Sequence, residues 1–201
     1  MCPSTGSGRP GGRAGSVVAW RFVALASTLH RFDLAVSDVD RGVYESLDLR
    51  VARHPSESVP YMLARVLAYG LSWEQGIELG PGLGEADEPA VRVRDPYGNV
   101  TKWIDVGTPS AERMHRASKA VSRVAVFTHH DPELLRREAS RSRIHRVERI
   151  EVFSLDPRFL DALGAHVERH TKVEVTATEG QLYVKAGGQT LETTLERLSL
   201  A

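Results

Sequence analysis

Four carboxylates in this chain have the spacing that chemistry asks for. Asp87 and Glu88 stand just before one apolar segment, Asp105 lies near the end of the next, and Glu57 opens the helix preceding both. Carboxylates at the ends of adjacent strands can converge on one point. A hard cation such as Mg²⁺ takes one or two of them and completes its shell with water. Asp105 carries the most weight. Along Trp103-Ile104-Asp105-Val106, strand alternation puts Trp103 and Asp105 on one face and Ile104 and Val106 on the other. An acid in so apolar a strand is costly to bury unless it is paired or binds a cation. The alternative is structural: Asp105 pairs with a nearby Arg, while Asp87 and Glu88 are solvated loop acids. His115, Arg116 and Lys119 follow on a helix. At spacings of three and four they share faces and offer positive charge to a developing phosphorane, or simply form a solvated face.

Other motifs are weaker. Arg136–Arg149 (RREASRSRIHRVER) carries six Arg against two Glu, a balance suited to tracking phosphates. It has no aromatic residue for stacking bases, and Glu138 can pair with Arg141. His129-His130 before Asp131 has the look of a metal-binding pair, but the pair is not part of an HxxxH or Cys spacing, which favours a capped turn. GPGLGE is no phosphate loop, since it matches neither GxxxxGK[ST] nor GxGxxG, and there is no GxSxG elbow.

The elements that must position these groups follow from periodicity. Thr28–Val36 and Tyr44–Ala52 alternate and predict an antiparallel pair across the turn SDVDRG. Ser56–Leu71 is a helix on the spacing of Val59, Met62, Leu63, Val66, Leu67 and Leu71, capped by Ser56 or Ser58. Glu57 falls in its first turn, and Pro60 is tolerated near its start. GIELGPGLGEADEP reads as a Gly-rich loop. Strands Ala90–Arg94 and Val100–Val106 flank the turn DPYGN. Then come helix 110–122, strand 124–127, helix 132–141, strand 147–154, helix 157–168, strands 171–178 and 181–185, and a last strand near 190–197. Interleaved strands and helices predict one α/β or α+β domain around a single mixed sheet flanked by helices.

Composition bounds the rest. The 201 residues suit one domain and bury enough surface for a core without staples. Lys plus Arg and Asp plus Glu are 26 each, which excludes a globally basic coat but not a local patch. The one cysteine, Cys2, excludes an internal disulfide or thiolate cage and fits a cytoplasmic setting. No apolar run reaches the ~20 residues of a membrane helix. Residues 1–16, rich in Gly, Ser, Pro and Arg, predict disorder. A secretory signal over Ser16–Ser27 is broken by Arg21.

Four strings together resemble a family. LRVARHPSE from Leu49, Asp87-Glu88-Pro89, WIDVGTP from Trp103 and Ala125-Val126-Phe127-Thr128 are similar, in order and spacing, to the YaeQ family of small bacterial proteins, as is MLARVLAY from Met62. The resemblance runs from about Val23 to the C-terminus. It implies that residues 1–22 are an extension, with Val23 as the true initiator, which N-terminal sequencing beginning at Met1 would refute. It also implies a PD-(D/E)XK nuclease-like core: helix 56–71, strands around 77–107, helix 110–122 and strand 124–127. By that likeness Glu88 and Asp105 would hold Mg²⁺, Glu57 would be the helix acid, and Arg116 or Lys119 would stabilise transition-state charge. The chain departs from the pattern at three places. Gly107 stands where the catalytic Lys should be, Ala90 where an acid is usual, and Pro60 where a second helix acid is common. The resemblance implies either a Mg²⁺-dependent nuclease or phosphodiesterase site, intact or degenerate, or a non-catalytic regulatory, nucleic-acid- or protein-binding module on a nuclease-like fold. Ala90 and Gly107 favour the second.

Overall fold

Helix α1 (Val59–Leu71) is buried along its whole second half and most of its first, from Met62 to Leu71. A helix with no solvated face must lie between layers, and α1 does. The computed structural model, which describes residues 27–82 and 87–200, places it between two sheets. The first has the order β10-β9-β8-β1-β2 and is built from β1 (Thr28–Asp38), β2 (Val43–Arg53), β8 (His170–Thr178), β9 (Gln181–Ala186) and β10 (Gln189–Thr194). The second has the order β11-β7-β6-β5-β4-β3. Its strands are β3 (Ile77–Leu79), β4 (Val91–Arg94), β5 (Val100–Val106), β6 (Arg123–Thr128), β7 (Ile150–Ser154) and β11 (Glu196–Leu198). Helix α4 (Pro157–Gly164) packs beside α1, while α2 (Ala111–Ala120) and α3 (Pro132–Ser140) cover the second sheet's outer face.

Two cores result. Phe32, Leu34 and Val36 of β1, the apolar residues of α1 and Ile104 and Val106 of β5 form the inter-sheet core. Met114, Leu135, Val126 and Val152 form the outer one. Gly70 lets α1 settle onto β1, since a Cβ there would lie 3.2 Å from both Leu34 and Val36. The outer face of the first sheet is polar and carries Arg31, Asp33, Asp48 and His170.

The α/β class and single domain agree with expectation, and the β1–β2 pair is antiparallel in register. The single sheet is a correction. β1 takes β8 as a parallel neighbour more than 130 residues away, which closes a separate sheet. The last strand is likewise two, and Leu195 between them hands the chain from one sheet to the other. The Gly-rich loop contains β3, paired with β4. Gly80 is required there because a Cβ would meet the Pro89 carbonyl at 1.8 Å. Residues 147–149 form a 3-10 turn ahead of β7 rather than its start, after Arg146 in the left-handed region at φ 49°. The expectations for residues 1–22, including the extension and the start at Val23, lie outside the described residues. No helix among those described is long and apolar enough to cross a membrane.

Candidate functional site

The strand end carrying Asp105 meets the first turn of α2, whose N-cap Ser110 accepts from the Arg113 amide. That start brings Arg113, eight residues after Asp105, back over β5. Its guanidinium grips Asp105 as a two-pronged fork, Nε donating to Oδ2 at 2.8 Å and Nη2 to Oδ1 at 2.7 Å. Nη2 also donates to the Glu88 carbonyl at 2.7 Å, and the guanidinium carbon sits 5.5 Å from the centre of the Trp103 ring. Asp105 is buried, 3 % exposed, and both its oxygens are engaged by this one group. Such a fork is among the strongest pairings a carboxylate makes.

The other expected residues are dispersed. Glu57 lies before α1, not in its first turn, because Ser58 takes the capping position with Pro60 just inside the helix. Its carboxylate is buried against Arg65, Nη1 to Oε1 at 2.8 Å, and accepts from the His54 amide at 3.2 Å. Glu88 is ion-paired through its carboxylate to Arg92. Asp87 is exposed and takes Arg116 at 3.0 Å. Lys119 is on the exposed side of α2. A cleft of about 430 Å³ includes Glu88, Asp105 and Arg113 in its lining, together with Tyr61, Gly107 and His130; Glu57, Arg116 and Lys119 are not part of it. Among the described residues no three His, Cys, Asp or Glu side chains gather as a metal would need.

Gly107 has φ +90°, a conformation that strains any residue with a Cβ. A lysine at the position the nuclease pattern prescribes would therefore have to bend the backbone as well as supply charge.

Arg113, Arg65 and Tyr61 were not anticipated. Arg113 had a signal: it is three residues before Arg116, in the turn that opens directly after Asp105. Arg65 had a stronger one, a guanidinium inside the apolar stripe of α1. Burial raises the Tyr61 hydroxyl above its usual range, with Arg65 opposing and the nearby carboxylates reinforcing.

His129 and His130 stack tilted at 4.2 Å, and His129 meets the Tyr61 ring edge-on at 6.0 Å. His129 is buried with no partner for Nδ1. Burial, then the neighbouring His130, lowers its pKa to about 4, against a small opposing pull from Asp161. The folded state therefore refuses a proton that the unfolded chain accepts below about 6.5. Stability is complete above that pH and declines by about 2 kcal/mol as the pH falls to 5. Urea titrations at pH 7 and pH 5 should show that loss, and His129→Gln should flatten the difference. An equal slope in the variant would place the proton elsewhere.

Comparison with known proteins gives this arrangement its relatives. The chain is 26% identical over 174 residues to the YaeQ protein of Escherichia coli (strain K12), covering 86% of this chain and 96% of that one. It superposes on the crystal structure of YaeQ from Xanthomonas axonopodis pv. citri with a TM-score of 0.79 at 29% identity, covering 86% of this chain and 98% of that one. The YaeQ crystal structure from Pseudomonas syringae gives 0.78 at 30% identity, with 86% and 96% covered. The family model described as YaeQ protein matches residues 23–195, and the chain belongs to the YaeQ family.

Proposed function

We propose that this protein is a non-catalytic binding module on a PD-(D/E)XK nuclease-like core, and that its ligand is a nucleic-acid backbone. The order α1, β3-β4-β5 antiparallel, α2, then β6 parallel to β5 supports the core assignment. The observation that carries the non-catalytic reading is the Arg113 fork on Asp105. A guanidinium bridging Asp105 and the Glu88 carbonyl holds the position a cation would have to take. The donor set therefore does not fit Mg²⁺, which needs free carboxylate oxygen and water.

The basic segment supplies the binding face. Arg136, Arg143 and Arg146 line a cavity of about 550 Å³ against one acid, Glu148. Arg136 is ion-paired with Glu133, while Arg143 and Arg146 make no ion pair among the described residues. His115 of α2 hydrogen-bonds the Arg143 carbonyl at 3.0 Å, which joins this face to the helix bordering the cleft.

A second reading keeps one observation: Glu88 and Asp105 do line the same cleft. It makes them the metal ligands of a Mg²⁺-dependent phosphodiesterase, with Glu57 in support and Arg116 or Lys119 stabilising charge. One titration separates the two. A fluorescently labelled oligonucleotide duplex is mixed with protein in EDTA and again in Mg²⁺, reading anisotropy and strand length. Binding in both, no cleavage in either, a steep loss with salt and a loss of about tenfold in Arg143→Ala/Arg146→Ala support the module. Mg²⁺-dependent cleavage lost in Asp105→Ala supports the enzyme. A salt-independent or absent response rejects a nucleic-acid backbone as the ligand.

A further inference from the structure

The sheet edges of this fold are unequal. β10 has six residues, and β3 and β11 three each, the short edges by which proteins discourage strand pairing. β2 is the exception at eleven. Parity along the strands shows which of its groups point outward. The Arg31 amide donates to the Arg169 carbonyl on the β8 side, so the odd residues of β1 bond β8 and the even ones bond β2. The residues of β2 opposite those even ones are odd, Leu47 against Leu34 and Leu49 against Phe32. The N–H and C=O groups of Tyr44, Ser46, Asp48, Arg50 and Ala52 therefore point away from the sheet, and no described residue bonds to them.

Charge along this edge is not settled within one chain. Across the β1–β2 ladder like faces like: Arg31 stands opposite Arg50, and Asp33 opposite Asp48. Such pairs cost stability. Arg31 escapes along the diagonal to Asp48 at 2.9 Å, and Asp33 meets His170 at 2.9 Å. Arg50 is left exposed, facing a cation and without an ion pair among the described residues. On the other face of β2, Glu45 and Arg53 have no ion pair among the described residues either.

We propose that β2 pairs antiparallel with β2 of a second copy of this chain, around a two-fold axis at Leu49. In that register Asp48 of each copy faces Arg50 of the other, Glu45 faces Arg53, Ser46 faces Ala52 and Leu47 faces Val51. Each Asp48–Arg50 pair exchanges two backbone hydrogen bonds, as does each Ser46–Ala52 pair, since all four residues point their groups outward. The registers on either side that keep this bonding set Asp48 opposite Asp48 or Arg50 opposite Arg50, so charge selects the one between. The contact is isologous, as a dimer of identical chains requires, and it joins the two copies' first sheets into one. It involves the first sheet alone, so it stands or falls independently of the nucleic-acid reading at the second.

Sedimentation equilibrium of the full chain over about 1–200 µM tests it. One strand per copy buries less than a standard interface, so reversible dimerisation in the micromolar range is expected. Arg50→Asp sets carboxylate against carboxylate twice over and should weaken the dimer by about tenfold or more; Asp48→Arg does the same with guanidiniums. Both leave the fold intact, because each puts unlike charges opposite one another across β1–β2, where the wild type has like ones. An equimolar mixture of the two variants should dimerise again, since every facing pair in the mixed dimer is then of opposite sign. Ser46→Pro removes an outward N–H and no bond to β1, so it too should cut dimerisation while β2 stays paired. A chain that is monomeric across the range, its edge free or covered by something other than a second copy, overturns the proposal. So does a dimer that Arg50→Asp and Ser46→Pro leave undiminished. A mixture that stays monomeric overturns the register, and the proposal with it.

Discussion

Arg65→Met is expected to remove about 3–5 kcal/mol of unfolding free energy, a large share of what a domain of this size possesses. Arg65 is 1% exposed, the bulkiest fully buried side chain described. It donates to Glu57 at 2.8 Å and to the Gly80 carbonyl at 2.8 Å, tying the turn before α1 to the end of β3. The surroundings are cut to its shape: a Cβ on Gly82 would come within 2.7 Å of Nη1. Methionine fills much of the volume but leaves Glu57 buried without its counter-charge, held only by the His54 amide, with Gly80 lacking its donor. Breaking a buried pair from one side is costly for that reason, while replacing both sides is often mild. Glu57→Gln/Arg65→Met should therefore cost clearly less than the two single changes added together, a coupling that urea denaturation of all four proteins will read. If Arg65→Met stays within about 1 kcal/mol of the wild type, the pair is not structural, and Glu57 becomes available as a site acid again.

That pair also marks the limit of what the sequence made legible. Elements with strong periodicity were readable: α1 from its apolar stripe, β1 and β2 from alternation, and β5 to the residue. Each signal is local. The partition into two sheets is not, because it depends on β1 meeting β8 across most of the chain. β3 has three residues, too few for a period to register, and is held by glycine contacts rather than by its own pattern. At the site, the requirement on Asp105 was legible, since an acid between Ile104 and Val106 must be paired or bind a cation. The choice between the two was not. It turns on which of 22 arginines the fold delivers, and spacing along a helix does not say where its first turn will point.

Arg113→Met is the change on which the non-catalytic reading turns. Its first effect should be a loss of about 3–5 kcal/mol, because Asp105 would stay buried without its counter-charge and the Glu88 carbonyl without its donor. Its second should be a gain. With the guanidinium gone, two carboxylate oxygens and a carbonyl face the cleft, a set of hard oxygen donors to which Mg²⁺ or Mn²⁺ can bind with water. Either ion should then raise the variant's Tm in a saturable manner, as a ligand of the folded state must. The wild type should show no such rise, and Arg113→Met/Asp105→Asn should lose the response while recovering part of the stability. The opposite result is equally instructive. Saturable binding by the wild type, abolished in Asp105→Ala, would mean that Arg113 yields to the ion. The fork would then be the resting state of a metal site, and the phosphodiesterase reading would replace the one advanced here.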